Sequence, residues 1–445
     1  MNGGMRGEVR PLLALAMPVI LAEIGWMAMG LVDTIMVGPL GPAAIGAAGM
    51  GSSVFTAIVI FGMGLMLGLD TFVSHAYGAR RLDECLEWLH QGVWLAIIVG
   101  PLLMGATWLV VSTIDAWGLH PAIQVLVRPY LRDISFGALP LLLYAGFRRY
   151  LQGLHVVKPV MFALITANLV NAAGNWVLIY GHLGFPAMGV AGSAWATTLA
   201  RIYMAAFLFV AITVVHRRRG DAHPHVPLRL DLARMRRLIA LGLPAASQIA
   251  LEVGGFATGT ALAGKLDPVS SGGHQIAMNL AGLAFMVPLG LASASAVRVG
   301  HALGAGDPAR ARRTGWAALA VGATLMIAIG ASLLAFREPL LRVFTTDDRL
   351  IAVGVRLLSI AAAFQLFDGV QAVATGVLRG AGDTRTPVFF NVLGYWVLGL
   401  PVGYSLCFRY GWGVVGLWFG LSAGLIVVAV ALTIAWARTS IRIAA

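Results

Sequence analysis

Twelve times along this chain a run of about 20 mostly apolar residues recurs, at roughly residues 12–36, 46–72, 91–114, 131–150, 159–180, 189–215, 239–262, 273–297, 315–336, 351–377, 387–408 and 414–437. A helix rising about 1.5 Å per residue needs about 20 such residues to cross the hydrocarbon core of a bilayer. The chain therefore reads as an all-α polytopic membrane protein with twelve transmembrane helices. Its charge content supports this: 11% of the 445 residues are charged, against about 25% in soluble domains, and the mean hydropathy is +0.84. No water-soluble surface can be built from so few polar groups, and a disordered chain needs low hydrophobicity. A disulfide scaffold is excluded too, because the only cysteines, Cys85 and Cys407, fall on opposite sides of the bilayer in the topology below.

The net charge of +12 could point to nucleic acid, so the position of the bases has to decide. If the N-terminus with Arg6 and Arg10 is cytoplasmic, 22 of the 31 Lys and Arg fall in the inner loops and tails, among them Arg80, Arg81, Arg148, Arg149, Arg217 to Arg219, Arg310, Arg312, Arg313, Arg438 and Arg442. The positive-inside rule then places both termini in the cytoplasm, in a bacterial-type cytoplasmic (inner) membrane, with no nucleic-acid partner. The first span lacks a small-residue cleavage site and is expected to be retained.

The longest polar interruption, 216–238, divides the chain into an N-terminal bundle at 1–222, a basic linker at 223–238 and a C-terminal bundle at 239–445. These halves repeat. Pro18 answers to Pro244, His75 to His301, Gly78 to Gly304, Gly153 to Gly380, Pro159 to Pro387 and Gly192 to Gly416, always at an offset close to 226. Six spans per half make the copies parallel, so a pseudo-two-fold axis along the membrane normal relates the two bundles, the plan on which transporters build midplane sites.

Ionisable residues inside a membrane span are expensive and mark function by default. The spans hold Glu23 and Asp33 (span 1), Asp70 (span 2), Glu252 (span 7) and Asp368 (span 10), with Asp133 at the start of span 4; the embedded bases are Arg201 and, near a span mouth, Arg356. An interior richer in acids favours cations. Asn171 and Asn175 lie one turn apart on one face of span 5, at a depth that lets them meet Asp33. A carboxylate with two amides suits a proton or a hard monovalent cation such as Na⁺; the other reading is that the asparagines bind neighbouring helices together. Glu252 and Asp368 lie at similar depth in the C-terminal bundle, although Glu252 corresponds to Trp26 and Asp33 to Gly259, so the repeat preserves architecture and not chemistry. Glu23 lies about 80° around the helix from Asp33 and about 15 Å along it. It either bonds to a neighbouring helix or faces the central cavity, where it would meet cationic substrates.

Two enzyme-like signals are weak. His216 and Asp221 form an H-x4-D pair, but in an arginine-rich linker, and the glycines of GHALGAG and LRGAGD lack a βα context and read as turns between helices. No enzyme and no cofactor are expected.

The segments MPVILAEIGWMAMGLVDTIMVGPLG at 17–41, NLVNAAGNWVLIYG at 168–181, VRVGHALGAGD at 297–307 and FDGVQAVATGVLRGAGDT at 367–384 resemble, in order and spacing, the multidrug and toxic compound extrusion (MATE) family and its NorM-like branch. The resemblance spans essentially the whole chain. It implies a twelve-helix, two-lobed secondary antiporter that expels organic cations such as drugs and dyes in exchange for Na⁺ or H⁺. On that likeness Asp33, Asn171 and Asn175 fall on the N-lobe cation positions, and Glu252 and Asp368 on a C-lobe acidic pair. The chain departs from the family at three places: Asn175 stands where some branches carry a second aspartate, Phe364 where relatives can have tyrosine, and Glu23 lies outside the motif.

Soft or flat side chains such as Met27, Met286 and Phe364 suit a cavity that adapts to lipophilic rings, although packing or lipid contact would use the same residue types. A monomer is expected. The alternative on the same two-bundle plan is a lipid-linked saccharide flippase, which would need several bases around its pyrophosphate, where this chain has mainly acids.

Overall fold

The computed structural model describes residues 5–219 and 228–444, and among them there is no strand. The helices are α1 (Met5–Val37), α2 (Pro42–Leu65), α3 (Gly68–Gly78), α4 (Leu82–Thr113), α5 (Pro121–Ser135), α6 (Ala138–Gly153), α7 (Lys158–Tyr180), α8 (Val190–Arg219), α9 (Leu232–Ala263), α10 (Pro268–Gly304), α11 (Pro308–Ala335), α12 (Arg337–Arg342), α13 (Asp348–Gly380), α14 (Arg385–Asn391), α15 (Leu400–Tyr404) and α16 (Val414–Ala444). Helix starts follow local chemistry: Asp267 accepts the N–H groups of Val269 and Ser270 at 3.0 Å just before Pro268, and Asp307 accepts that of Arg310 at 2.8 Å just before Pro308. A proline at the first helical position gives up only an N–H that would have no partner there. The glycine segments are indeed turns, since α10 and α13 end at Gly304 and Gly380 and the chain reverses at Gly306 (φ 71) and Gly382 (φ 87).

Among the described residues, eleven helical stretches are individually long and apolar enough to cross a membrane. The twelfth, read from the sequence as one helix over 131–150, is two helices, α5 of 15 and α6 of 16 residues, interrupted at Phe136–Gly137. The α2–α3 span breaks at Met66–Leu67, and π-helical turns at Val392–Gly399 and Ser405–Arg409 join α14, α15 and α16. Backbone irregularity at membrane depth is tolerated only where protein covers it, and the α2–α3 break is covered by α9: a Cβ on Gly64 would lie 2.9 Å from the Ala246 Cβ, and one on Gly68 2.9 Å from Leu238. Outward faces stay apolar, with Leu31, Leu102 and Leu109 each more than 60% exposed. Both cysteines are buried, and the Cys85 thiol donates to the Val73 carbonyl at 3.6 Å.

Contacts divide the chain into two compact units, Leu21–Ala246 and Met1–Ile20 with Ser247–Ala445. The division falls inside α1 and α9, and the repeat explains it. In the first unit Ala246 of α9 sits on Gly64; in the second, Ile20 of α1 sits on Gly290, each residue being the partner's counterpart at the 226-residue offset. The N-terminal ends are pinned by charges of opposite polarity. Glu8 on α1 bonds Arg298, Arg310 (3.3 Å) and Thr314 (3.2 Å), whereas its counterpart Arg234 on α9 bonds Glu87 (2.5 Å) and Asp231 (3.7 Å). Of the linker expected at 223–238, residues 223–227 lie outside the described residues, as does Asp221 of the H-x4-D pair; His216 bonds the Tyr150 hydroxyl at 2.9 Å.

Candidate functional site

In the Leu21–Ala246 unit, α1 and α7 are fastened along their length by polar side chains. Asn168 Nδ2 donates to the Gly25 carbonyl at 3.0 Å, where glycine keeps the helices close, and the Tyr180 hydroxyl donates to the Met36 carbonyl. Between these ties lies Asp33. Asn171 and Asn175, both fully buried, donate to Asp33 Oδ1 at 2.9 and 2.7 Å, and Asn175 also donates to Asn171 Oδ1 at 3.2 Å. Thr197 of α8 donates to Asp33 Oδ2 at 2.8 Å. The sequence reading brought the acid and the asparagines together and missed Thr197; its signal was a hydroxyl in the span following the asparagine helix. α8 approaches closely because Gly174 faces Ala196, the residue before Thr197, with 3.1 Å between the Ala196 Cβ and a Cβ placed on the glycine. The result is one carboxylate held by two amides and a hydroxyl. Charged hydrogen bonds of this kind are the strong ones.

Glu23 bonds to a neighbouring helix, one of the two readings that the sequence leaves open, and its partner there is a base. Its carboxylate is ion-paired with Arg148 of α6, and both side chains are buried, at 9% and 4% exposed. Arg148 and Arg149, counted from sequence among the inner-loop bases, belong instead to the interior, because α6 runs on to Gly153; Arg149 pairs with Asp70 at 3.3 Å. Removing one partner of a buried pair leaves an uncompensated charge at a cost of about 3–5 kcal/mol, whereas an apolar replacement of both can be neutral or better. Arg148→Met is therefore expected to lower thermal stability in detergent markedly, and the double variant Glu23→Leu with Arg148→Met to recover most of the loss. A double variant as unstable as the single one would show that the pair is not what Arg148 contributes.

In the other unit Glu252 of α9 accepts from Gln248 at 2.8 Å, one turn earlier on its own helix, and from Gln371 of α13 at 3.4 Å. Asp368, 6% exposed and one turn before Gln371, lies within electrostatic reach of Glu252. The structure thus brings the two acids into one neighbourhood, and the glutamines are the members that sequence reasoning overlooked; each stands three or four residues from an acid. Two carboxylates so placed repel when both are ionised, and a bound cation or proton relieves the repulsion.

Of the soft surfaces, Phe364 is 8% exposed and packs on Trp418 with ring centroids 5.7 Å apart. Trp418 in turn donates to His274 Nδ1 at 3.0 Å. Met27 and Met286 are half-buried on α1 and α10.

Comparison with known proteins gives consistent matches. The sequence model of the MatE family matches residues 18–177 and again 244–405, so its two copies begin at Pro18 and Pro244, the first pair of repeat landmarks. A probable multidrug resistance protein NorM of Mesorhizobium japonicum is 38% identical over 440 residues, covering 97% of this chain and 94% of the relative. A protein of the same description from Bradyrhizobium diazoefficiens is 35% identical over 94% of this chain and 90% of its own. Among solved structures, a eukaryotic MATE transporter superposes with a TM-score of 0.89 at 20% identity, covering 99% of both chains. An outward-facing multidrug resistance MATE transporter superposes with a TM-score of 0.86 at 20% identity, covering 100% of this chain and 97% of that one.

Proposed function

Because this chain belongs to the MatE family and is a membrane efflux transporter of the multidrug kind, we propose that it exports lipophilic organic cations in exchange for Na⁺ or H⁺, by alternating access. The observation that carries the reading is that each unit encloses acids with neutral hydrogen-bonding partners: Asp33 with Asn171, Asn175 and Thr197 in one, Glu252 beside Asp368 with Gln248 and Gln371 in the other. A charge held this way in an apolar bundle is costly unless a cation or proton accompanies it, so these groups are the natural handles for a coupling ion. A proton on Asp33 Oδ2 would require the Thr197 hydroxyl to turn its hydrogen to the Ser193 carbonyl, 3.0 Å away, and to accept from the acid instead. Na⁺ would require the amide oxygens of Asn171 and Asn175 to turn towards it, since oxygen is its ligand.

The transporting bundles are taken as 1–222 and 239–445, joined by the linker at 223–238, in a cytoplasmic-type membrane with both termini inside, working as a monomer. Met27 in one unit, with Met286 and Phe364 in the other, are assigned to substrate, for which polarisable and flat surfaces suit lipophilic rings. Glu23 joins them only if Arg148 releases it, because a drug cation has to compete with a resident guanidinium. Coupling requires that drug and ion each bind the two states of the transporter with different affinity. The test is efflux of a fluorescent lipophilic cation from proteoliposomes on which Na⁺ and pH gradients are imposed separately. Efflux driven by at least one gradient is expected, and failure of both defeats the antiport reading.

A further inference from the structure

Arg201 is a buried base that the transport scheme above does not use. It stands one turn after Thr197 on α8, hence on the face that carries the hydroxyl to Asp33. It is 6% exposed, and its guanidinium carbon lies 4.6 Å over the centre of the Phe55 ring. Two of its donors, Nε and Nη1, are buried with no hydrogen-bond partner. The break between α5 and α6 makes room for it: a Cβ on Gly137 would lie 2.7 Å from Nη1 and 3.1 Å from Cδ, so any larger residue there would displace the arginine. Both oxygens of Asp33 are taken by Asn171, Asn175 and Thr197, and no ion pair joins the two residues, yet Asp33 lies within electrostatic reach. An arginine whose task was to brace the bundle would be expected to use its fork of donors. This one rests on an aromatic face with two donors idle.

We propose that Arg201 is a resident counter-cation of the Asp33 site, balancing the carboxylate when the coupling ion has left and yielding to that ion when it binds. The inference rests on the antiport reading, in which the site must empty once in every cycle. Charge accounting motivates it: with Arg201 present, the emptied cluster is neutral and the loaded cluster carries one positive charge, whereas without it the emptied cluster would strand a bare carboxylate in a membrane bundle. The cation–π seat on Phe55 is strong enough to place the guanidinium and weaker than a buried ion pair, so the arginine remains free to lean on Asp33. The charged or titratable groups acting on it are Asp33 of α1 and Tyr130 of α5, and α2 offers it the neutral ring of Phe55.

The test compares wild type, Arg201→Met, Arg201→Lys and Phe55→Leu in proteoliposomes, recording efflux of a fluorescent organic cation against Na⁺ concentration at fixed pH and against pH without Na⁺. Removing a neighbouring positive charge favours cation binding. Arg201→Met should therefore reduce the half-saturating concentration of the driving cation by about tenfold, on the scale of one charge at close range in a protein, and should slow maximal efflux because release is harder. Arg201→Lys, which keeps the charge, should stay near wild type. Phe55→Leu frees the guanidinium to reach Asp33 and should shift half-saturation the opposite way; it carries the test if Arg201→Met does not fold. Unchanged half-saturation in the folded variants, with or without a lower maximal rate, would reduce Arg201 to packing and overturn the proposal. Full gradient-driven efflux by Asp33→Asn would instead remove the site reading on which the proposal rests.

Discussion

Asp33→Asn is expected to reduce gradient-driven efflux to background while leaving the protein in the membrane. The carboxylate collects three donors, two amide Nδ2 groups at 2.9 and 2.7 Å and the Thr197 hydroxyl at 2.8 Å. Asparagine keeps the shape and removes the charge on which a cation or proton acts. Its own NH₂ group can also be turned towards donors that then lack an acceptor, at about 1–3 kcal/mol for each one left unsatisfied. A loss of that size is comparable to a coupling energy, which is typically about 1–3 kcal/mol. Drug binding measured in detergent should survive within a few-fold, separating loss of coupling from loss of structure. Wild-type efflux by the variant under either gradient would take the N-terminal cluster out of the mechanism.

Glu252→Gln and Asp368→Asn are expected to fail in the same way and to the same extent, each by about tenfold or more, and the double variant should be no worse than either. The reason is that Glu252 and Asp368 sit in one electrostatic neighbourhood, with Gln248 and Gln371 as the donors to Glu252. Residues acting on one bound ion lose their effect together, so the interaction term in the cycle should be nearly as large as either single loss. Losses that multiply would indicate two independent acids, with the C-terminal unit then lacking a shared site. The glutamines supply a control: Gln371→Leu removes a donor and no charge, and should change efflux far less than Asp368→Asn does.

Much of this could be read from the chain before any coordinates. Whether a segment spans a bilayer depends on about 20 consecutive residues, and a parallel repeat depends on landmarks in fixed order, so the twelve spans, the two halves and the positions of Asp33, Glu252 and Asp368 were legible along the sequence. Asn171 and Asn175 could be joined to Asp33 because depth along a helix follows from counting residues.

Depth does not say which way a side chain faces, and that decided the rest. Glu23 meets Arg148 across 125 residues, and Thr197 meets Asp33 across 164. Each pairing is set by how two helices are rotated about their own axes, a matter of a few ångströms governed by the packing of Gly25, Gly174 and their neighbours. The same holds for the split of span 4 at Gly137, where Arg201 fills the space that a side chain would take, and for the division of α1 and α9 at Ile20 and Ala246, where each helix meets the small residue that admits it, Gly290 or Gly64. Hydropathy is a property of a segment and is written into it; the partner of a buried charge is a property of the packed bundle, because only there do the costs of desolvation and the gains of pairing come into contact.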